Sequence, residues 1–199
     1  MTMNQQFRIG VLNVQGAVSE HVESVQALGD QPVLVKYPTD LENIDGLIIP
    51  GGESTTIGKL IDKFNLSEPI RIKANDGMPI FGTCAGLIIL AEQIEGYESA
   101  HLGLMHMTAN RNSFGRQRES FETPLIINGI ANDFPAVFIR APHIVSWKND
   151  VEVLAEYEGR VVAARQGNLL ATAFHPELTN DTRMHRHFRH IIENFINAD

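Results

Sequence analysis

The sequence predicts an α/β protein: a three-layer sandwich with a mostly parallel central sheet and an antiparallel extension. Two observations carry this. In the first half, short apolar runs alternate with segments of helical periodicity, the pattern of a parallel sheet covered by helices on both faces. In the second half, three strand-like runs follow one another with only turn signals between them, the pattern of a meander. The 199 residues suit one domain over positions 1–199, long enough to bury roughly 70% of the unfolded surface.

Each element follows from its residues. Arg8–Leu12 (RIGVL) reads as the first strand. Val18, Val22, Val25 and Leu28 then recur at helical spacing, with Gly29 placed to end the helix. Pro32–Lys36 and Gly46–Ile49 are the next strands, the latter running into Pro50-Gly51-Gly52. Helices are expected near 55–64 and 67–75, a strand over 79–82 and a helix over 85–94. The meander comprises Val151–Tyr157, Arg160–Arg165 and Leu169–Phe174. A closing helix aligns Met184, Phe188, Ile191, Ile192 and Phe195 on one face.

Composition narrows the class of function. The net charge of -8 gives no general attraction to nucleic acid or to anionic membranes. The longest apolar stretch, near Leu87–Ala91, is far too short to span a bilayer. The N-terminus lacks a basic-then-apolar signal, and one cysteine forms no internal disulfide, so the expected compartment is the cytoplasm.

That cysteine stands in Gly82-Thr83-Cys84-Ala85-Gly86, the spacing of a nucleophile elbow with cysteine in place of serine. Strand, sharp turn and helix are the context that the motif requires. The glycines permit a strained turn, and the start of the following helix favours a thiolate. The bland alternative is a small buried cysteine packing a strand end.

A thiolate nucleophile needs a base. Of eight histidines, His175 follows the last strand, in Ala173-Phe174-His175-Pro176-Glu177. Pro176 biases it towards extended backbone, in which Glu177 lies on the same side and can orient the ring. Cys84, His175 and Glu177 then read as nucleophile, base and orienter. Pro50-Gly51-Gly52-Glu53-Ser54-Thr55-Thr56 ends another strand. Its glycine N–H groups suit an oxyanion hole, with the N–H of Ala85 as a second donor. The plainer reading is a strand-to-helix turn capped by Ser54 or Thr55. A phosphate loop fails on spacing, because Glu53 and Leu60 stand where glycine and Ser/Thr are required.

Together these segments resemble the triad type of class I glutamine amidotransferase. LNVQGAVSEH, LIIPGGESTT, FGTCAGLIIL, RNSFGRQ, FIRAPHI and FHPELT further resemble the glutaminase subunits of pyridoxal 5'-phosphate synthases, in the same order from Leu12 to Thr179. FGTCAG and FHPE mark only the wider class, whereas RNSFGRQ and FIRAPHI mark this family. The resemblance implies hydrolysis of L-glutamine to glutamate and ammonia, with Cys84 forming a thioester. It implies a glutamine-binding set of Gly52, Glu53, Ser54, Arg111, Ile139 and Arg140, and places Gln15 by the oxyanion hole and the partner interface. It also implies a separate synthase subunit with a (β/α)8 barrel in a dodecameric core, one glutaminase per synthase subunit, receiving the ammonia. Pyridoxal 5'-phosphate would be the product of that complex, leaving this chain with no cofactor and no metal.

Two basic clusters remain. Arg183, His185, Arg186, His187, Arg189 and His190 read as a solvated helix face, because three histidines so spaced do not converge on a metal. Arg116 and Arg118 are either partner contacts or loop surface. His21 and His143 lie in the matching motifs without an assigned role. The alternatives are the glutaminase subunit of another amidotransferase, or a PfpI-type cysteine hydrolase or chaperone. The latter usually carries histidine directly after the cysteine, where this chain has Ala85.

Overall fold

The computed structural model describes residues 5–111 and 120–198. The chain runs through β1 (Arg8–Leu12), α1 (Val18–Ala27), β2 (Gln31–Val35), β3 (Gly46–Ile49), α2 (Ser54–Lys63), α3 (Ser67–Asn75), β4 (Ile80–Thr83), α4 (Ala85–Leu90) and β5 (Ala91–Ile94). It continues through β6 (Met105–Asn110), β7 (Ser120–Ile127), β8 (Ala131–Ile139), β9 (His143–Trp147), β10 (Glu152–Tyr157), β11 (Arg160–Gln166) and β12 (Leu169–Thr172), and ends in α5 (Arg183–Asn197).

Among the described residues one large sheet has the order β2-β1-β3-β4-β12-β11-β9-β6-β5, with β10 paired to β11. Strands β2, β1, β3, β4 and β12 are mutually parallel, so their C-terminal ends share one edge, where an open α/β sheet places its ligands. The expected meander is present: β10, β11 and β12 pair antiparallel. β7 and β8 form a separate two-stranded hairpin.

The core follows the apolar pattern. Leu47, Ile48, Ile49, Ile80 and Phe81 are buried in the sheet. Met184, Phe188, Ile191 and Ile192 bury the inner face of α5. A side chain at Gly46 would meet Ile192 at 2.6 Å, so that strand must carry glycine for α5 to lie flat. Helix α1 departs from its sequence pattern: His21 and Val25 are its buried residues, whereas Val18, Val22 and Leu28 are half-buried. The helix covers the outer strands β1 and β2, so part of its apolar face overhangs the sheet.

Three expectations are corrected. The helix expected over 85–94 stops at Leu90, and Ala91–Ile94 becomes a strand parallel to β6. Ile88-Ile89-Leu90-Ala91 is apolar throughout, so its periodicity does not separate helix from strand. The decision is tertiary: Leu102 and Leu104 donate their N–H groups to the carbonyls of Ile89 and Leu90 and end the helix. The cap of α2 is Glu53 rather than Ser54 or Thr55; its two carboxylate oxygens accept from the N–H groups of Thr55 and Thr56, where a hydroxyl could serve only one as well. Finally, the basic cluster of α5 is not a uniformly solvated face. His185 is 2% exposed, and Arg189 pairs with Asp30 at 2.9 Å while stacking 4.7 Å over Phe7. Only the outer side of that turn, Arg186 and His190, is exposed.

Candidate active site

The register of two strands assembles the site. Thr83 of β4 lies opposite Thr172 of β12, so the segments leaving both strands start side by side. The N–H of Cys84 donates to the Thr172 carbonyl at 2.8 Å. Cys84 itself has φ 49°, the left-handed region that costs a non-glycine residue about 1–3 kcal/mol and is kept where it serves a site. The elbow thus has the strained backbone that its glycines anticipate. Gly86 is required for a second reason: a side chain there would collide with the carbonyl of Ile49, which lies against the start of α4.

His175 is the third residue after β12, with φ -105° and ψ 88°, outside the helical region as Pro176 dictates. The next three residues, Pro176–Leu178, form a 3₁₀ turn, not the extended run expected from the sequence. The contact expected of Glu177 is nevertheless made, through the turn: its Oε1 accepts from His175 Nδ1 at 2.7 Å. Both side chains are buried or nearly so. Burial alone would push the His175 imidazole down. Hydrogen bonds to Cys84 and Glu177 outweigh it and push the pKa up to about 10. The ring thus lies between a sulfur and a carboxylate that both favour its protonated form, an arrangement that suits a cysteine nucleophile with an acid–base partner. The backbone N–H of His175 donates to Val137 of β8 at 2.8 Å, so the separate hairpin holds the histidine from behind.

The glycine turn after β3 forms the facing wall. A side chain on Gly51 would overlap the His175 ring and come within 3.3 Å of Cys84 Cβ. One on Gly52 would strike Oε1 of Gln15. The carbonyl of Gly51 accepts from Ala17 N–H at 3.0 Å, and Gln15 Oε1 accepts from Glu53 N–H at 2.9 Å. Two loops are thereby pinned together beside the sulfur. Ala85 begins α4, so its N–H has no acceptor within that helix, and the residue lines the cleft.

A cleft of about 570 Å³ collects these groups. Gln15, Gly51, Gly52, Glu53, Ser54, Cys84, Ala85, Arg111, Ile139, Arg140 and His175 all line it. Glu177 lies behind His175. Arg111 donates to Glu53 Oε1 at 3.0 Å and to the Tyr97 hydroxyl at 2.7 Å, and its guanidinium stacks 4.9 Å over the Tyr97 ring. Hydrogen bonds from the Thr56 side chain and from the Thr55 and Thr56 backbone hold Glu53 down at about 2. Arg140 has φ 42° and is exposed at the rim. The Ile139 carbonyl lies 3.9 Å from Cys84 Sγ. Of RNSFGRQ only Arg111 is described; Arg116 and Arg118 fall outside the described residues. Tyr97, Pro142 and Leu178 also line the cleft; Pro142 and Leu178 lie within FIRAPHI and FHPELT without having been assigned a role, and Tyr97, outside those motifs, had no sequence signal.

Among the described residues no cluster suited to a metal ion is found, and no helix is long and apolar enough to cross a membrane.

The SNO glutamine amidotransferase family model matches residues 11–197. The chain belongs to this family. It is 60% identical over 186 residues, 94% of this chain and 97% of the relative, to pyridoxal 5'-phosphate synthase subunit PdxT of Geobacillus sp. (strain WCH70). It is equally similar, with the same coverage, to the protein of that name from Anoxybacillus flavithermus. A crystal structure described as a glutamine amidotransferase superposes with a TM-score of 0.89 at 45% identity, over 93% of this chain and 98% of the other. PurLQS from Thermotoga maritima, at 18% identity and a TM-score of 0.69 over 96% of this chain and 100% of the other, shares the fold. As an SNO-family amidotransferase the chain has the class I architecture that its sequence motifs suggested.

Proposed function

We propose that this chain is the glutaminase subunit of a pyridoxal 5'-phosphate synthase and that Cys84, His175 and Glu177 perform the hydrolysis. The observation that carries the mechanism is the placement of His175, bonded to Glu177 Oε1 at 2.7 Å and facing the same cleft as Cys84. The sulfur attacks the side-chain amide carbon of glutamine, and the oxyanion is met by N–H groups of the Gly51-Gly52 turn and of Ala85. His175 gives its proton to the departing ammonia, leaving a thioester on Cys84. The neutral ring then takes a proton from water, whose oxygen attacks the thioester and releases glutamate. Glu177 holds the ring in the tautomer with its proton on Nδ1. Arg111 and the Ile139-Arg140 pair bind the glutamine backbone groups, the guanidinium matching the α-carboxylate. The chain needs no cofactor of its own; pyridoxal 5'-phosphate is the product of the assembled complex in the cytoplasm.

The ammonia passes to a barrel-fold synthase subunit, one per glutaminase on a dodecameric core, and docking completes the oxyanion hole. A surface feature supports a docking site at this place. Val14, Val18, Val22 and Leu34 line a concavity of about 780 Å³ that continues into Gln15 and Gly16. Gln15 and Ala17 are both bonded to the glycine turn, so a partner seated there presses on the loop that touches the catalytic turn. The test is glutamate release from glutamine, by the chain alone and with the cognate synthase subunit. Weak activity alone, strong activation by the partner and its loss in Cys84→Ala are expected. Full activity in Cys84→Ala would overturn the triad, and full activity without a partner would overturn the gating.

A further inference from the structure

A second pair of histidines lies directly behind the triad. His21 of α1 has no exposed surface. Its Nδ1 is 3.0 Å from Nε2 of His185 on α5. Its Nε2 is 3.0 Å from Thr83 Oγ1, the residue before the nucleophile, and 3.5 Å from Glu177 Oε2. Glu177 thus faces two histidines: Oε1 meets His175, and Oε2, which has no hydrogen-bond partner among the described residues, meets His21.

The protons in this pair can be placed. Burial pushes His21 well below its ordinary range, aided by His185 and His175, and burial pushes His185 down to about 4. Both rings are therefore neutral, with one N–H each. If His21 carried its proton on Nδ1, its Nε2 lone pair would face the carboxylate. His185 would then carry an N–H on Nδ1, a buried atom with no acceptor among the described residues. The reverse arrangement has His185 Nε2–H donate to His21 Nδ1 and directs the His21 Nε2–H at Thr83 and Glu177. On His185 it leaves a lone pair unmatched in place of an N–H, the cheaper defect in a dry interior.

We propose that His21, locked in this tautomer by His185, is a positioning residue for the glutaminase reaction: it holds the second oxygen of Glu177 and so fixes the carboxylate that orients His175. The proposal rests on the triad reading above. It joins three remote segments (α1, the elbow and α5) at one carboxylate, so the C-terminal helix supports the chemistry without touching the substrate.

The test is a double-mutant cycle in the complex with the synthase subunit, reading glutaminase kcat and KM for His21→Leu, Glu177→Gln and both together. His21→Leu is expected to lower kcat about 10- to 100-fold with KM within about twofold, since it removes no substrate contact. In the Glu177→Gln background the same change is expected to cost less than about threefold, because the carboxylate it positions is gone. His21→Gln, which keeps an N–H donor near the Nε2 position, is expected to recover much of the loss. An equal loss in both backgrounds, or no loss in the first, would overturn the proposal while leaving the triad standing. Full activity of Glu177→Gln would instead overturn the triad. Should His21→Leu fail to fold, His185→Phe carries the test, with a severalfold loss of kcat at unchanged KM expected and unchanged kcat overturning it.

Discussion

Gly51 carries no side chain because the His175 ring occupies the place where one would go. Gly51→Ala is therefore expected to displace the imidazole and lower kcat about 100-fold, the cost of misplacing a catalytic group by about 1 Å; steady-state kinetics of the complex would show it. His175 makes a pH prediction of definite sign. Its proton is held to about pH 10 in the fold and to about pH 6.5 in the unfolded chain. The resulting stability is complete below the unfolded value and is lost as pH rises through the folded one. The melting temperature should fall between about pH 7 and pH 10, and fall less steeply in Glu177→Gln, which removes one of the two partners holding the proton. Equal slopes in parent and variant would contradict the assignment. At this scale the sequence was legible wherever chemistry forces a residue type. Cys84 between glycines and His175 before proline announced themselves. His21 and His185 did not: a buried histidine pair depends on α1 and α5 meeting behind β4, and no local spacing encodes that.

The element that ties recognition to architecture is α2. Its cap residue, Glu53, accepts two backbone N–H groups and also the guanidinium of Arg111. Glu53→Ala removes the cap, at a cost of about 0.5–2 kcal/mol by thermal melting, and also releases Arg111, so KM for glutamine should rise. Glu53→Gln keeps part of the cap but weakens the ion pair, and should separate the two effects. Helix and strand identities were readable where apolar positions recur at helical spacing, as in α2, or where turn signals bound short apolar runs, as in the β10–β12 meander. They were not readable at the junction of α4 and β5, where the apolar run Ile88-Ile89-Leu90-Ala91 fits either state until β6 supplies a partner. Strands β6 to β9 were likewise missed. β6, however, alternates apolar and polar residues from Met105 to Asn110, with buried and half-buried positions to match, so there the strand signal was present and went unread.

Across the whole molecule, the parallel half of the sheet brings Gly51, Cys84 and His175 to one edge, and the overhang of α1 leaves an apolar concavity beside them. If that concavity seats the synthase subunit, Val22→Glu should abolish complex formation in analytical ultracentrifugation and with it the activation, while leaving the weak activity of the isolated chain within about twofold, since surface changes away from a site are usually small in effect. The parallel sheet was legible as a class from alternating strands and helices. The position of the hairpin was not, because the pairing of β7 with β8 leaves open which surface they cover.

That hairpin has a practical use. The amide proton of His175 is bonded to Val137, on a hairpin that among the described residues shares no ladder with the sheet leading to Cys84. Its exchange with deuterium therefore times the parting of the two sheets at the cleft. If glutamine capture and partner docking clamp the hairpin down, this one amide should slow in step with each of them, giving a clock for active-site closure that is separate from the chemistry.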